Sequence, residues 1–288
     1  MPSWLSSFVT TKYLARQWMR AQQSSSALQD FINSECGEPY VHYDNGIRDK
    51  AFAGLEGQYK EGELWAEIEP YKTQYKELNC YVYGGADVQK GYLVAAFREF
   101  VDGGDSGLIW AGDVANFAEL DKLTRQFDAN NIFIDARYRT QEVNEWASQR
   151  EETFAAYFPC FGVLRKAKCL FAINEFDIDE GKRGQGNGRT IETVSFDHDL
   201  ISDMLADLIQ RRHDARRWLI PAGYAGNKKY IDQMTAQKSI NGRWQPIPAG
   251  KPDHFWDAEK LALLAAIRLQ VWRSQYGTVE TADAETGA

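Results

Sequence analysis

The chain has 288 residues and a mass of 32.8 kDa, enough for one large domain or one domain with an appendage. With 44% hydrophobic and 26% charged residues it has the balance of an ordinary globular protein, and its longest clean apolar run, Leu261 to Ile267, falls far short of the roughly 20 residues a membrane-spanning helix needs. The net charge of −8 leans away from a nucleic-acid partner, yet residues 205–245 hold eight basic side chains against three acidic ones, so DNA is not excluded.

The N-terminal stretch places Trp4, Leu5, Phe8 and Val9 among Ser and Thr without a basic lead, which argues against a secretory signal. Leu14, Trp18 and Ala21, then Leu28, Phe31 and Ile32, recur at helical spacing. From Cys36 to Gly57 the density of Gly, Pro and Asn predicts an extended connector rather than a domain with its own core. Cysteines stand at 36, 80, 160 and 169 with no C-x-x-C pair, against both a zinc site and a disulfide framework and in keeping with a reducing compartment.

The middle of the chain changes character. Tyr81 to Val88 and Tyr92 to Phe97 read as two strands joined through Gln89-Lys90-Gly91, hence a hairpin, with Leu108 to Ala111 as a third strand. Phe117, Leu120, Leu123 and Phe127 form a helical stripe, Ile132 to Ile134 a short buried strand, and Thr140 can cap a helix carrying Val143 and Trp146. Residues 174–190, with four glycines, predict a mobile loop or the tip of a long hairpin. Ile191 to Phe196 is a further strand, 199–211 an amphipathic helix, Trp218 to Ile220 a strand and 256–272 a last helix. The order of hairpin, strand, helix, strand and helix predicts a mixed α/β sheet.

Three carboxylates stand out by position. Asp87 ends an apolar strand just before the hairpin turn, Asp135 ends Asn131-Ile-Phe-Ile, and Asp257 opens the last helix. A carboxylate at the end of a buried strand is costly to desolvate unless something pairs with it, and oxygen-only ligands from separate elements suit Mg²⁺ or Mn²⁺. Two such ions can clamp the attacking water and the leaving oxygen of a phosphodiester. Each acid also has a plainer reading: a turn residue for Asp87, pairing with Arg137 or Arg139 for Asp135, pairing with Lys260 for Asp257. Asp197 and Asp199 follow another apolar strand and suit a helix cap and first turn as well as a fourth ligand. His254 is either a proton shuttle beside Asp257 or a helix-entry residue. The basic side chains Arg211, Arg212, Arg216 and Arg217 are a solvated helix end or a DNA-backbone contact, and Lys182 and Arg183, with Arg189, reach over DNA or belong to a plain hairpin. No Ser or Cys has a His/Asp pattern for nucleophilic catalysis.

These residues carry a resemblance. Gly84-Gly-Ala-Asp87-Val-Gln89-Lys-Gly, Ile134-Asp135-Ala-Arg-Tyr138 and His254-Phe-Trp-Asp257-Ala-Glu259 resemble the nuclease domain of the large terminase subunit, the DNA-packaging motor of tailed bacteriophages, in its lambda-like branch. Leu28-Gln-Asp-Phe31-Ile-Asn33 and Gly37-Glu-Pro-Tyr40 are similar to the segment that follows the motor, and Lys229-Tyr-Ile-Asp-Gln-Met-Thr-Ala-Gln237 to a late helix of that domain. The resemblance spans about residues 14 to 270 and is weak between 150 and 225. It implies a ribonuclease-H-like mixed sheet flanked by helices and an endonuclease that cuts concatemeric viral double-stranded DNA. It assigns metal ligation to Asp87, Asp135 and Asp257, with two Mg²⁺ or Mn²⁺ ions as cofactors.

The implied layout is a connector at 1–75 following an ATPase motor, a nuclease domain at 76–274 and a disordered acidic tail at 275–288. The chain carries no Gly-x-x-x-x-Gly-Lys-Ser/Thr phosphate loop, so the ATPase half is expected to lie elsewhere. The implied partners are that ATPase domain, the small terminase subunit and the capsid portal, in the host cytoplasm and outside the virion, with no membrane. Rival readings are a junction-resolvase-like nuclease, a non-catalytic docking domain for DNA or the portal, and a small-molecule α/β enzyme. No base-reading motif is visible, so low sequence specificity is expected.

Overall fold

The computed structural model describes residues 2–21, 25–37, 45–149, 155–163, 170–178, 189–211, 216–240, 242–269 and 271. Helices α1 (Thr11–Ala21) and α2 (Ser25–Phe31) open the chain and lie side by side, with Trp18 edge-on to Phe31 at 5.4 Å between ring centres. The short pieces β1 (Asn45–Gly46), α3 (Lys50–Ala53) and α4 (Tyr71–Tyr75) follow. This stretch lies against the sheet described next. Phe52 and Leu55 join its core, and Trp65, Tyr71 and Tyr75 form a cluster with Val101 and Leu219.

Three long strands then run as an antiparallel meander: β2 (Cys80–Val88), β3 (Leu93–Val101) and β4 (Ser106–Val114). Helix α5 (Phe117–Gln126) is capped by Asn116, whose side chain accepts the Glu119 N–H. Strand β5 (Asn131–Asp135) returns beside β2 in parallel, and helix α6 (Thr140–Ser148) follows it. The cap expected from Thr140 is not there. Thr140 is the first helical residue, and its hydroxyl donates to the Ala136 carbonyl at 2.6 Å, because Arg139 in the left-handed region takes the cap position.

Strands β6 (Ala156–Val163), β7 (Phe171–Asp177) and β8 (Thr190–Asp197) extend the sheet, and helix α7 (His198–Gln210) leaves β8 directly. β7 and β8 pair from Phe171–Phe196 to Asp177–Thr190, so 174–177 and Thr190, read as part of a loop or hairpin tip, are paired strand residues, while Lys182 and Arg183 lie outside the described residues. The chain ends with β9 (Trp218–Leu219), α8 (Lys228–Met234), the hairpin β10 (Gln237–Ile240) and β11 (Arg243–Pro246), and α9 (His254–Arg268). Residues 275–288, read as a disordered tail, lie outside the described residues.

Eight strands form one mixed sheet in the order β7-β8-β6-β5-β2-β3-β4-β9, and β1-β10-β11 form a small second sheet. This is the mixed α/β, ribonuclease-H-like arrangement flanked by helices that the resemblance implies. The central strands read as near-continuous apolar runs because both faces are covered. Val94, Ala96, Phe100 and Phe133 pack on the side of α7 and α9, whereas Ala95, Phe97, Ile132 and Ile134 pack on the side of α5 and α6. No described helix is long and apolar enough to cross a membrane.

Candidate active site

Strand parity aims the first two acids. Side chains alternate along a strand, so Tyr83, Gly85 and Asp87 share one face of β2, and Phe133 and Asp135 share one face of β5. Tyr83 and Phe133 lie in the core on the α9 side, so both aspartates face α9. The parallel register pairs Ala86 with Ile134, which sets Asp87 and Asp135 side by side at the same end of neighbouring strands.

The third acid arrives on α9. That helix sits unusually close to β2: a Cβ on Gly85 would overlap the Ala258 carbonyl oxygen and stand 2.7 Å from the Ala262 nitrogen. Only glycine admits this approach. It brings the first turn of α9, with Asp257, over the two strand ends, close enough that Asp257 acts electrostatically on both Asp87 and Asp135.

Each carboxylate has a different environment. Asp87 is 3% exposed; Gln89 Nε2 donates to its Oδ2 at 2.8 Å, and His254 Nδ1 lies 2.8 Å from the same oxygen. Burial raises its pKa, the charge of Asp257 adds to that, and the bonds from His254 and Gln89 oppose it. Asp135 accepts the Arg137 backbone N–H at 3.1 Å. Burial, with the charges of Asp87 and Asp257, pushes it up to about 6 against that bond. Asp257 goes the other way. Burial would raise it, but the ion pair with Lys260 and the nearby His198 and His254 hold it below the usual carboxylate range. Of the plainer readings, the Lys260 pair is present. Arg139 instead pairs with Glu142, and Arg137 meets Asp135 through its backbone N–H.

Two more groups belong to this edge. His254, the first residue of α9, is raised by its bond to Asp87, against the effect of its burial and with help from the charges of Asp253 and Asp257. Asp253 accepts from Gln237 Nε2 at 2.6 Å and is raised by burial and by Asp257. Its signal in the sequence is the four-residue spacing to Asp257, which sets both acids near one side of the helix start. Asp197 and Asp199 are otherwise engaged. Asp197 caps α7 through the N–H groups of Asp199 and Leu200 at 3.1 and 3.0 Å, and Asp199 accepts the Trp244 N–H at 2.8 Å.

The predicted basic side chains lie elsewhere. Arg217 precedes β9, whose Trp218 pairs with Ser106, at the end of the sheet opposite to Asp87. Asp87 to Tyr81, the position in line with Ser106, is six residues of β2, or about 20 Å. Arg211 caps the far end of the 13-residue α7, about 20 Å from Asp197, and donates to the Gly54 carbonyl at 2.9 Å. Arg217 Nη1 donates to Gln74 at 3.0 Å. Arg216 sits beside it, while Arg212, like Lys182 and Arg183, lies outside the described residues.

Beside His254 opens a cleft of about 540 Å³, bordered by Tyr92, Asp113, Glu119, Lys229, Gln233 and Pro252. Among the described residues no three His, Cys, Asp or Glu side chains converge as a ready metal-ligand group. The donor chemistry nonetheless fits a hard divalent cation. The site offers three oxygen donors on adjacent elements, two of them raised by burial and mutual repulsion, and among the described residues Lys260 is the one cationic side chain paired with them apart from histidine.

A family model described as the endonuclease domain of terminase large subunit gpA matches residues 1–276. Among solved structures, the nuclease domain of the large terminase subunit gp2 of bacterial virus Sf6 is similar at 12% identity and a TM-score of 0.45, over 75% of this chain and 97% of that one. The same values hold for a substituted form of that domain in a structure with manganese and beta-thujaplicinol. The HK97 bacteriophage large terminase is similar at 12% identity and a TM-score of 0.42, over 91% of this chain and 52% of that one, so this chain spans about half of that protein's length. No curated protein matches.

Proposed function

The chain belongs to the endonuclease-domain family of the terminase large subunit, and from this we propose that it hydrolyses phosphodiester bonds of concatemeric double-stranded viral DNA by a two-metal mechanism. The observation that carries the reading is the register of β2 on β5, which aligns two carboxylates raised by burial under the helix start that bears a third.

Asp87, Asp135 and Asp257 would hold the ions, Mg²⁺ or Mn²⁺. When bound, such ions activate water as a nucleophile and stabilise the leaving oxygen. The rest is done by the chain's own groups. Gln89 and His254 fix the orientation of the Asp87 carboxylate, as supporting hydrogen bonds do for ligating carboxylates. Lys260 keeps Asp257 ionised, and the Arg137 N–H holds one oxygen of Asp135 so that the other stays available. The three acids cannot all be charged at low cost without a cation between them, which ties their working state to metal.

The proposed partners are duplex DNA, an ATPase motor domain, the small terminase subunit and the capsid portal, in the host cytoplasm. A connector at 1–75, a nuclease domain at 76–274 and an acidic tail at 275–288 complete the proposed layout. The test is plasmid nicking by the purified chain with Mn²⁺ or Mg²⁺. Cutting should stop with chelator and in each of Asp87→Asn, Asp135→Asn and Asp257→Asn. Full activity in chelator, or in all three variants, would overturn the reading, and strong preference for branched over linear DNA would move it to a junction resolvase.

A further inference from the structure

We propose that Lys90, Arg137 and Arg243 form the track that holds the sugar-phosphate backbone of duplex DNA, and that Arg211, Arg216 and Arg217 lie off it. The proposal rests on the nuclease reading only in taking DNA as the ligand. A phosphodiester must be brought to an edge lined by Asp87, Asp135, Asp253 and Asp257, which repel it. Cations offset that repulsion only within about a Debye length, roughly 8–10 Å at ordinary ionic strength. Arg217, at the opposite end of the sheet about 20 Å from Asp87, is too far to do so, and Arg211 sits at the far end of α7, about 20 Å from Asp197.

The elements that deliver the acids deliver cations as well. Lys90 follows Asp87 by three residues in the β2–β3 turn, and Arg137 follows Asp135 by two, so the chain itself keeps them within about 11 and 7 Å. Arg243 starts β11, next to Trp244, whose N–H binds Asp199; against burial, the bonds from His198 and the Trp244 N–H hold the Asp199 carboxyl low and the Arg243 charge adds to them, and His198 in turn acts on Asp257. All three are exposed, and among the described residues none has an ion-pair partner. Neighbouring cations are spent: Lys229 pairs with Asp113 at 2.5 Å, Lys228 with Asp232 at 2.6 Å, and Arg139 with Glu142.

Exposed tyrosines accompany two of the three. Tyr92 is 37% exposed next to Lys90, and Tyr138 is 48% exposed next to Arg137. Their hydroxyls suit phosphate and sugar contacts, which position a duplex without reading its sequence.

The test is binding of a labelled linear duplex to the full chain in chelator, by anisotropy, over about 50 to 200 mM salt. For each phosphate contact removed, the slope of log K against log salt should flatten by about 0.9. Lys90→Gln/Arg137→Gln/Arg243→Gln should therefore lose about 2.7, while Arg211→Gln/Arg216→Gln/Arg217→Gln should keep the wild-type slope. A matched melting temperature establishes that the first variant is folded. An unchanged slope in that variant, or an equal loss in the second, overturns the track. Nicking by the wild type with metal is read separately. Nicking with an unchanged slope removes the track and leaves the nuclease reading, whereas the predicted slope loss with no nicking does the reverse.

Discussion

His254 Nδ1 stands 2.8 Å from Asp87 Oδ2, joining the first residue of α9 to the end of β2. The contact fixes a buried carboxylate from the side of the helix that also carries Asp257. In the proposed nuclease the two would form a positioning pair, with the histidine orienting the acid and not meeting substrate. His254→Ala should then cost about 10–100-fold in nicking rate, the range for losing a support of a ligating group. The loss should shrink at high Mn²⁺, as a weakened ion site refills. Wild-type rates at limiting Mn²⁺ would reduce His254 to a helix-entry residue.

Asp135 makes the opposite trade. Its folded pKa of about 6 lies above an unfolded value of about 3.9. Between these, the folded state keeps a proton that the unfolded state has released, so its contribution to stability falls as pH rises from about 4 to 6. Above that the penalty is constant at about 3 kcal/mol, from roughly two pKa units. Asp135→Asn should thus melt higher than wild type at pH 7.5 in chelator and match it near pH 4, while losing nicking. Added Mn²⁺ should narrow the gap, because only the wild type gains binding energy. Equal melting at both pH values would show that Asp135 carries no such strain.

The two strand-end acids are legible in the sequence because a charged residue closing an apolar run is itself anomalous. Their convergence with Asp257 is not, since it depends on a helix some 170 residues away seating on Gly85. The place of the arginine block was hidden for a similar reason: β9 is two residues long and reaches the sheet only by pairing with the start of β4. Strand β6 escapes pattern reading because Pro159 and Gly162 interrupt it, and the β10–β11 hairpin because its residues are mostly polar. The boundaries of α7 and α9 differ from the expected ones by one to four residues, as fraying ends allow.

Gly85 and its neighbour separate stability from activity. A Cβ on Gly85 meets the backbone of α9, which cannot yield locally, whereas one on Gly84 meets the Ile132 Cδ1 and the Phe97 ring on the opposite face. Overpacking of either kind costs about 1–3 kcal/mol. Gly85→Ala should also displace α9, and with it Asp257, so its nicking should fall far more than its folded fraction. Gly84→Ala should lose stability with nicking per folded molecule nearly intact. Equal activity per folded molecule in the two variants would mean that the close seating of α9 does not set the site.

Glu259, two residues beyond Asp257, anchors α9 from below. Its carboxylate takes Arg98 Nε at 2.9 Å and Nη2 at 3.0 Å, and the Tyr230 hydroxyl donates to it at 2.5 Å. Arg98 also donates to the Leu219 carbonyl at 3.0 Å and lies 3.6 Å over the Trp218 ring; neither member of the ion pair is exposed at all. Removing one partner leaves a buried charge with no counterion, at about 3–5 kcal/mol, whereas removing both for apolar groups of similar volume is often far cheaper. Arg98→Met and Glu259→Leu should each lower the urea midpoint sharply, and the double variant should recover much of the loss. The cycle should show favourable coupling between the two positions, at or above the top of the roughly 0.5–3 kcal/mol found for residues in contact. Because Glu259 shares a turn with Asp257, the double variant should fold yet nick more slowly than wild type. Additive single losses would show that the pair is not the anchor, and wild-type nicking in the double variant would show that α9 holds Asp257 in place without it.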